Sequence, residues 1–442
     1  MEALNDFDLK KRESALTEYI GVKKTKSSPS VNLHTHTFYS YNALGWSPTR
    51  YAVECFENDV DYTGIIDFDT LEGLHEFYNA GELLSLRTTV GFETRSFYQR
   101  FKSLEIDSPG EPGVHYIAGA GFYKLPQKGC SEDDYLNKLR AMADNRNQAL
   151  VKRINSCLPE IAISYEKDVL STTPGGTPTE RHIISVYSKR AKKHFEIKGD
   201  SKYWQPILKL EIEELERLFH DTAKLEDKMR SALAKKGGVA YEQPDENTFP
   251  ATEEVWAWVK ACGAIPTESW LDGTSAGEQL GKELLESSIE IGARALNIIP
   301  DRNWNIKDEK EKALKVKNLN TVIQNAVALD LPLHIGTEGN KLGLRFIDDL
   351  NVSALKPHKE HFIKGAQIIT GHALLGRFVG FSYLCEDADR EFINTTDKNI
   401  FFAAVGALPG LNKIQADRLR LMVRDKGFSS IVDSVKAGYW LL

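Results

Sequence analysis

Two histidines, His34 and His36, stand one residue apart in the run SVNLHTH. Residues two apart on a strand point to the same face, so both imidazoles would project side by side. A pair of neutral imidazoles so placed suits a borderline divalent cation such as zinc, manganese or iron. Asp67 and Asp69 repeat the spacing at the end of YTGIIDFD. Two carboxylates together need solvent, a cation or hydrogen-bond donors, although Asp-x-Asp at a strand end equally suits the cap of a following helix. Glu93 follows Gly-Phe in TTVGFETR, and His115 opens HYIAGAGFY. His334, Glu338 and Asn340 keep even spacing in LPLHIGTEGN, hence one face, and His372 follows Thr-Gly in AQIITGHA. The chain has no Gly-rich phosphate loop, no GxSxG elbow and no GxGxxG after a strand, so P-loop, α/β-hydrolase and dinucleotide chemistries lose support. Metal-activated water is the nucleophile that this inventory can supply.

Such residues need a frame that gathers them. The runs named above, with GAIPTESW and ARALNIIPDRNW, make eight short apolar segments of strand length and strand chemistry, most ending in a polar or ionisable residue. Outside one long gap they recur every ~25–36 residues, room for a strand, a loop and a helix, which is the rhythm of a β/α barrel. SPTRYAVECFENDVD, TSAGEQLGKELLESSIEIG and NLNTVIQNAVALD supply helical patterns between runs, the first with a Ser-Pro entry. The expected fold is therefore α/β, a distorted TIM-like barrel of eight strands, with its site where the strands end. The expected organisation is an N-terminal helical extension (1–30), a first half-barrel (31–123), a helical insertion (124–250), a second half-barrel (251–375) and a C-terminal helical segment (376–442). The insertion reads as charged helices with solvated faces, and LPGLNKIQADRL, which faintly resembles a helix-hairpin-helix turn, reads as a plain turn before a packed helix.

Composition narrows the class. At 442 residues, 41% hydrophobic and 27% charged, the chain is globular, neither disordered nor collagen-like, and too long for one ordinary core. Its 56 basic and 63 acidic residues leave a net charge of −7, which argues against sequence-independent nucleic-acid binding. Five scattered cysteines with no CxxC pair read as reduced thiols. With no signal-peptide core and no 18-residue apolar run, the expectation is a cytoplasmic protein with no membrane partner.

LHTHT, the Ser-Pro-Thr helix start, GIIDFDTLEG and VGFET resemble, in order, the motifs LHxHTxxSDG, SPxxL, ITDHDTxxG and GxE of the polymerase and histidinol phosphatase (PHP) family. The likeness covers about 31–123 and runs more loosely over 252–375. The stretch from RNQALVKRINSCLP to ERHIISVYSKRAKKH resembles a helical insertion in which an Arg-x-His or Arg-Pro-His element borders the substrate phosphate; here the adjacent Arg181 and His182 would take that place. The resemblance implies a distorted barrel binding one to three divalent ions and hydrolysing phosphoesters. Four positions depart from the pattern: Tyr41, Phe68, Trp270 and Asn340 replace an aspartate and three histidines. Taken with the reading of the residues, it assigns the metal shell (Mn, Zn or Fe) to His34, His36, Glu93, His115, Glu338 and His372. Asp67 and Asp69 would orient or deprotonate water, with Glu93 a bridging carboxylate. Arg95, Arg181, Arg302 and Arg377, with His182, would hold a phosphorylated small molecule such as a nucleotide or sugar phosphate. The alternatives are a degenerate barrel that binds without catalysis, motivated by Phe68 and Trp270, and a hydrolase of another bond such as an amide, a reading that a mid-strand lysine would favour and that none of the eight runs supports with one at its centre.

Overall fold

The computed structural model describes residues 1–19, 29–175, 177–409, 411 and 413–437. Seven strands form one sheet in chain order: β1 (Val31–Asn32), β2 (Tyr62–Phe68), β3 (Thr88–Phe97), β4 (Val114–Ala120), β5 (Ile265–Trp270), β6 (Ala295–Ile298) and β7 (Leu333–Ile335). All neighbours are parallel except β4, which runs antiparallel to both β3 and β5. The Leu33 amide donates to the Ile335 carbonyl at 2.8 Å, and the His36 amide to the Glu338 carbonyl at 2.8 Å, bringing β1 back against β7. The sheet is thereby a nearly closed, distorted barrel. Gly336 permits that closure, because a Cβ there would lie 2.4 Å from the His34 nitrogen and 2.6 Å from Asn32 Oδ1.

Helix α1 (Leu9–Thr17) precedes the barrel, and α2 (Pro48–Glu57) and α3 (Leu74–Leu84) follow β1 and β2. The Ser47 side chain accepts from the Arg50 amide while Pro48 occupies the first turn, so α2 begins where the Ser-Pro pair predicts. Its Tyr51 and Ala52, four and three residues before Cys55, turn inward with it. After β4 come the insertion helices α4 (Ser131–Cys157), α5 (Glu180–Leu208), α6 (Ile212–Leu218) and α7 (Thr222–Leu233). They enclose an apolar core of their own around Ile154, Ile183, Tyr187, Trp204 and Met229. The barrel resumes with α8 (Thr252–Ala261), α9 (Lys282–Glu290), α10 (Asp301–Trp304) and α11 (Glu309–Ala328). Then α12 (Lys359–Val379), α13 (Glu386–Glu391), α14 (Thr395–Gly406), α15 (Lys413–Lys426) and α16 (Ser429–Lys436) follow β7. No helix among the described residues is long and apolar enough to cross a membrane.

The eighth expected strand, AQIITGHA, is not one. Residues 366–373 lie inside α12, whose Phe362, Ala366, Ile369 and Ala373 recur at helical spacing and are buried. Short apolar runs satisfy both periods, and here the helix prevails because its glycines let it lie directly on β7. A Cβ on Gly365 would stand 2.1 Å from the Leu333 carbonyl oxygen.

One buried carboxyl makes stability depend on pH. Asp348, in the connection from β7 to α12, accepts from Trp304 Nε1 at 3.2 Å through Oδ1, while Oδ2 is buried without a hydrogen-bond partner. Burial first, then Asp301, pushes the group up from 3.8 to about 7. A raised folded-state value stabilises fully below about pH 4 and loses that contribution as the pH climbs to about 7. Asp348→Asn, which mimics the protonated form, should therefore gain on the parent protein between pH 4 and pH 8. Melting temperatures recorded across that range check it, and a constant difference between the two proteins contradicts it.

Candidate metal centre

Register decides which side chains meet. Phe68 pairs with Glu93, Arg95 with Tyr116, Ser269 with Asn297, and Asn297 with His334, so these side chains share the barrel's interior face. His34 and His36, just beyond β1, point into the same space. One ligand atom from each of His34, His36 and Glu93 lies within 4.8 Å of the others, and all three residues are buried. Glu93 Oε2 is 3.3 Å from His36 Nε2 and 3.7 Å from His34 Nε2.

The opposite ring nitrogens are held. Asn297 Oδ1 lies 3.0 Å from His34 Nδ1 and 2.9 Å from His334 Nδ1, and accepts a hydrogen bond from each. Ser40 Oγ lies 3.2 Å from His36 Nδ1. Both Nε2 atoms are then left buried with no hydrogen-bond partner. Buried polar nitrogens seldom go unsatisfied, and imidazoles fixed at Nδ1 with Nε2 facing a carboxylate are arranged as metal ligands are. Two imidazoles and one carboxylate fit zinc, manganese or iron. Burial tends to lower His36, but Glu93 outweighs it and raises the group; burial likewise tends to raise Glu93, and the two imidazoles pull it well below the usual carboxylate range.

The other acidic candidates stand around this cluster in different ways. Asp67 and Asp69 do not share a face, because Asp69 takes a left-handed φ of 55° that ends the alternation. Asp67 accepts from the Thr37 amide (2.8 Å), Thr37 Oγ1 (2.7 Å) and Ser40 Oγ (2.6 Å), which makes it a support for the loop after His36. Asp69 accepts from Thr94 Oγ1 at 2.6 Å and faces Arg146 at 3.9 Å, and burial raises it. Glu338 also adopts a left-handed φ, 65°, so the even spacing from His334 does not place it on a strand face. Its carboxylate pairs with Arg302 at 2.5 Å and with Asn340. Both strained residues border the cavity, where unfavourable backbone conformations tend to collect.

Five expected site residues lie elsewhere. His115 pairs with Ser96 on antiparallel β4 and so faces outward, with Nε2 2.9 Å from Thr252 Oγ1 and Nδ1 3.4 Å from Glu268. His372 lies in α12, where Nε2 bonds the Gly121 carbonyl at 3.0 Å and Nδ1 accepts the Tyr383 amide at 3.0 Å; burial pushes it down to about 4. Neither reaches the cluster. His182 caps α5 by accepting the Thr179 amide at 3.0 Å, and burial holds it neutral at about 3. Arg181 lines the outer cavity but pairs with Asp227 at 3.1 Å. Arg377 pairs with Glu82 and lies 4.5 Å over the Tyr78 ring, on the helix packed against the sheet.

The cluster opens into a cavity of about 1290 Å³ bounded by the barrel on one side and the insertion on the other. Arg95 and Arg302 line it. Arg95 pairs with Glu111 at 2.7 Å and lies 4.3 Å over the Phe249 ring. Arg146, which sequence reasoning missed, lies 4.6 Å from the same ring, and burial with the neighbouring Arg95 lowers it to about 10. No spacing links residues 95, 146 and 249, so nothing local signals their meeting. Phe68 stacks on His36 at 5.3 Å, Tyr41 packs on His182 at 4.9 Å, and Trp270 joins the apolar core. None of the three adds an imidazole or carboxylate to the cluster.

The architecture and the site thus define a distorted β/α barrel with a buried His-His-Glu cluster at the mouth of its parallel strands. No family model and no curated protein matches the chain. Among solved structures, it is similar to a protein of Bifidobacterium adolescentis proposed to be a metal-dependent phosphoesterase, at 17% identity and a TM-score of 0.47, covering 76% of this chain and 98% of that one. It is also similar to an amidohydrolase of Chromobacterium violaceum with bound sulfate and no metal, at 13% identity and a TM-score of 0.48, covering 73% and 92%. At this level of similarity neither carries any inference about activity.

Proposed function

We propose that this chain is a metal-dependent hydrolase of phosphoesters acting on a phosphorylated small molecule. The observation that supports it most is the pair of unpartnered Nε2 atoms facing Glu93 at the floor of a cavity that also holds arginines. His34, His36 and Glu93 would hold the ion. The chemistry a divalent ion supplies in such a donor set is acidification of water and stabilisation of charge on a phosphoryl oxygen. Asn297 and Ser40 orient the ligands; Asp67, saturated by three donors, stabilises the loop rather than reacting. Asp69, raised by burial and beside the Glu93 backbone, is placed to take up and return a proton.

Arg302 and Arg146 carry the substrate preference. Arg302 is bound to Glu338 and electrostatically coupled to Glu93, while Arg146 donates to the Thr248 carbonyl at 3.3 Å and, among the described residues, faces the Asp69 carboxylate at 3.9 Å. Guanidinium groups bordering one donor set complement a phosphate better than a neutral amide. Phe68 beside His36, and the engagement of Glu338 by Arg302, favour a single ion over three.

The test is elemental analysis of protein grown with manganese, iron and zinc, followed by turnover assays on phosphomonoesters, phosphodiesters and amides. About one ion per chain is expected from three converging ligands, with phosphoester turnover lost on chelation and restored by metal. An empty protein removes the reading; turnover of amides alone overturns the phosphoester assignment.

A further inference from the structure

The loop that follows His36 is braced from the N-terminus. Arg12 on α1 is fully buried, at 0% exposure. Its Nε donates to Glu76 Oε1 at 2.8 Å, and its Nη2 donates to Glu76 Oε2 at 2.5 Å and to the Tyr39 hydroxyl at 3.2 Å. Its Nη1 donates to the Asp6 carbonyl, and the guanidinium lies 5.0 Å from the Phe38 ring centre. Glu76 Oε1 also accepts from the Thr49 amide at 3.0 Å and Thr49 Oγ1 at 2.7 Å. Buried ions are costly unless hydrogen-bonded, and here four of the five guanidinium N–H groups are engaged, one of them by a tyrosine from the loop.

That tyrosine links the brace to the metal ligands. Tyr39 immediately precedes Ser40, which lies against His36 Nδ1 and donates to Asp67. The Tyr39 amide donates to Thr37 Oγ1 at 3.2 Å, and Thr37 in turn holds Asp67. Phe7 packs edge-on against Phe38 at 5.5 Å, a second contact of the N-terminal segment with the same loop. We propose that Arg12 and Tyr39 are positioning residues of the metal centre: the N-terminal segment fixes the 37–42 loop so that His36 presents Nε2 to the cation. The inference rests on the metal-centre reading above, and neither residue touches the ion.

Cobalt(II) titration of the full chain, followed by its visible ligand-field absorption, tests this. Tyr39→Phe keeps the ring and the Arg12–Glu76 pair and removes only the hydroxyl link; Arg12→Lys keeps the charge and loses the fork. Each is expected to weaken cobalt binding about threefold to tenfold, less than the loss of a group in direct contact with a ligand, and to shift the absorption bands while far-ultraviolet circular dichroism stays unchanged. A purely structural brace would lower the melting temperature but leave cobalt affinity and spectrum as in the parent, which overturns the proposal. Should Arg12→Lys fail to fold, Tyr39→Phe decides alone. If the unaltered chain binds no cobalt, the metal-centre reading fails first and the inference falls with it, an outcome distinct from normal binding by the variants.

Discussion

Replacing His36 with alanine is expected to leave the protein without retained metal and without hydrolytic activity. His36 supplies one of three converging ligands, and its Nε2 lies nearer than that of His34 to the shared carboxylate. Removing a residue that merely supports a ligand costs about 10–100-fold in affinity. Losing the ligand itself should exceed about a hundredfold, roughly 2.8 kcal/mol. The Phe68 ring stacked on the other side cannot substitute, and Asp67 is turned away into its three hydrogen bonds. Elemental analysis after gel filtration and phosphoester turnover at saturating manganese give the two readouts. Full metal content in His36→Ala would place the ion elsewhere.

The second large effect concerns stability. Gly371 of α12 and Gly406 of α14 sit back to back: a Cβ on Gly371 would lie 2.1 Å from the Phe402 carbonyl oxygen, and one on Gly406 would lie 1.8 Å from that of Gln367. The two helices therefore touch at backbone level. In an isolated helix, Gly→Ala gains about 1 kcal/mol. Here the sign should reverse, because the obstructing atoms are main chain and cannot rotate away. Gly371→Ala is expected to lose about 1–3 kcal/mol and Gly371→Leu more than about 3, as α14 is forced off α12 and His372 is pulled from the Gly121 carbonyl. Urea unfolding measures both variants; a stabilised Gly371→Ala would show that the helices do not meet there.

The same glycine shows where sequence reasoning reached its limit. AQIITGHA reads as a strand because a short apolar run obeys either period, and its Thr-Gly-His ending looks like a strand terminus. Only the neighbouring helix explains the glycine. His115 shows a second limit: its distance from Glu93 along the chain carries no information about strand direction, and an antiparallel β4 puts it opposite Ser96, on the outer face. For His34, His36 and Glu93 the outcome matched the local pattern. The first two sit two residues apart in the segment that continues β1, and Glu93 shares the interior face because β3 happens to pair parallel with β2, opposite Phe68.

Local sequence determined the alternation of strand and helix, the Ser-Pro start of α2, the paired imidazoles and the helical character of the insertion, since each depends on contacts within a few residues. Tertiary structure alone decided the direction of β4, the strained turns at Asp69 and Glu338, and the meeting of Arg95, Arg146 and Phe249 above the cluster. Those features depend on contacts between segments far apart in the chain, and their energies are settled only when the barrel closes and the insertion packs over its mouth.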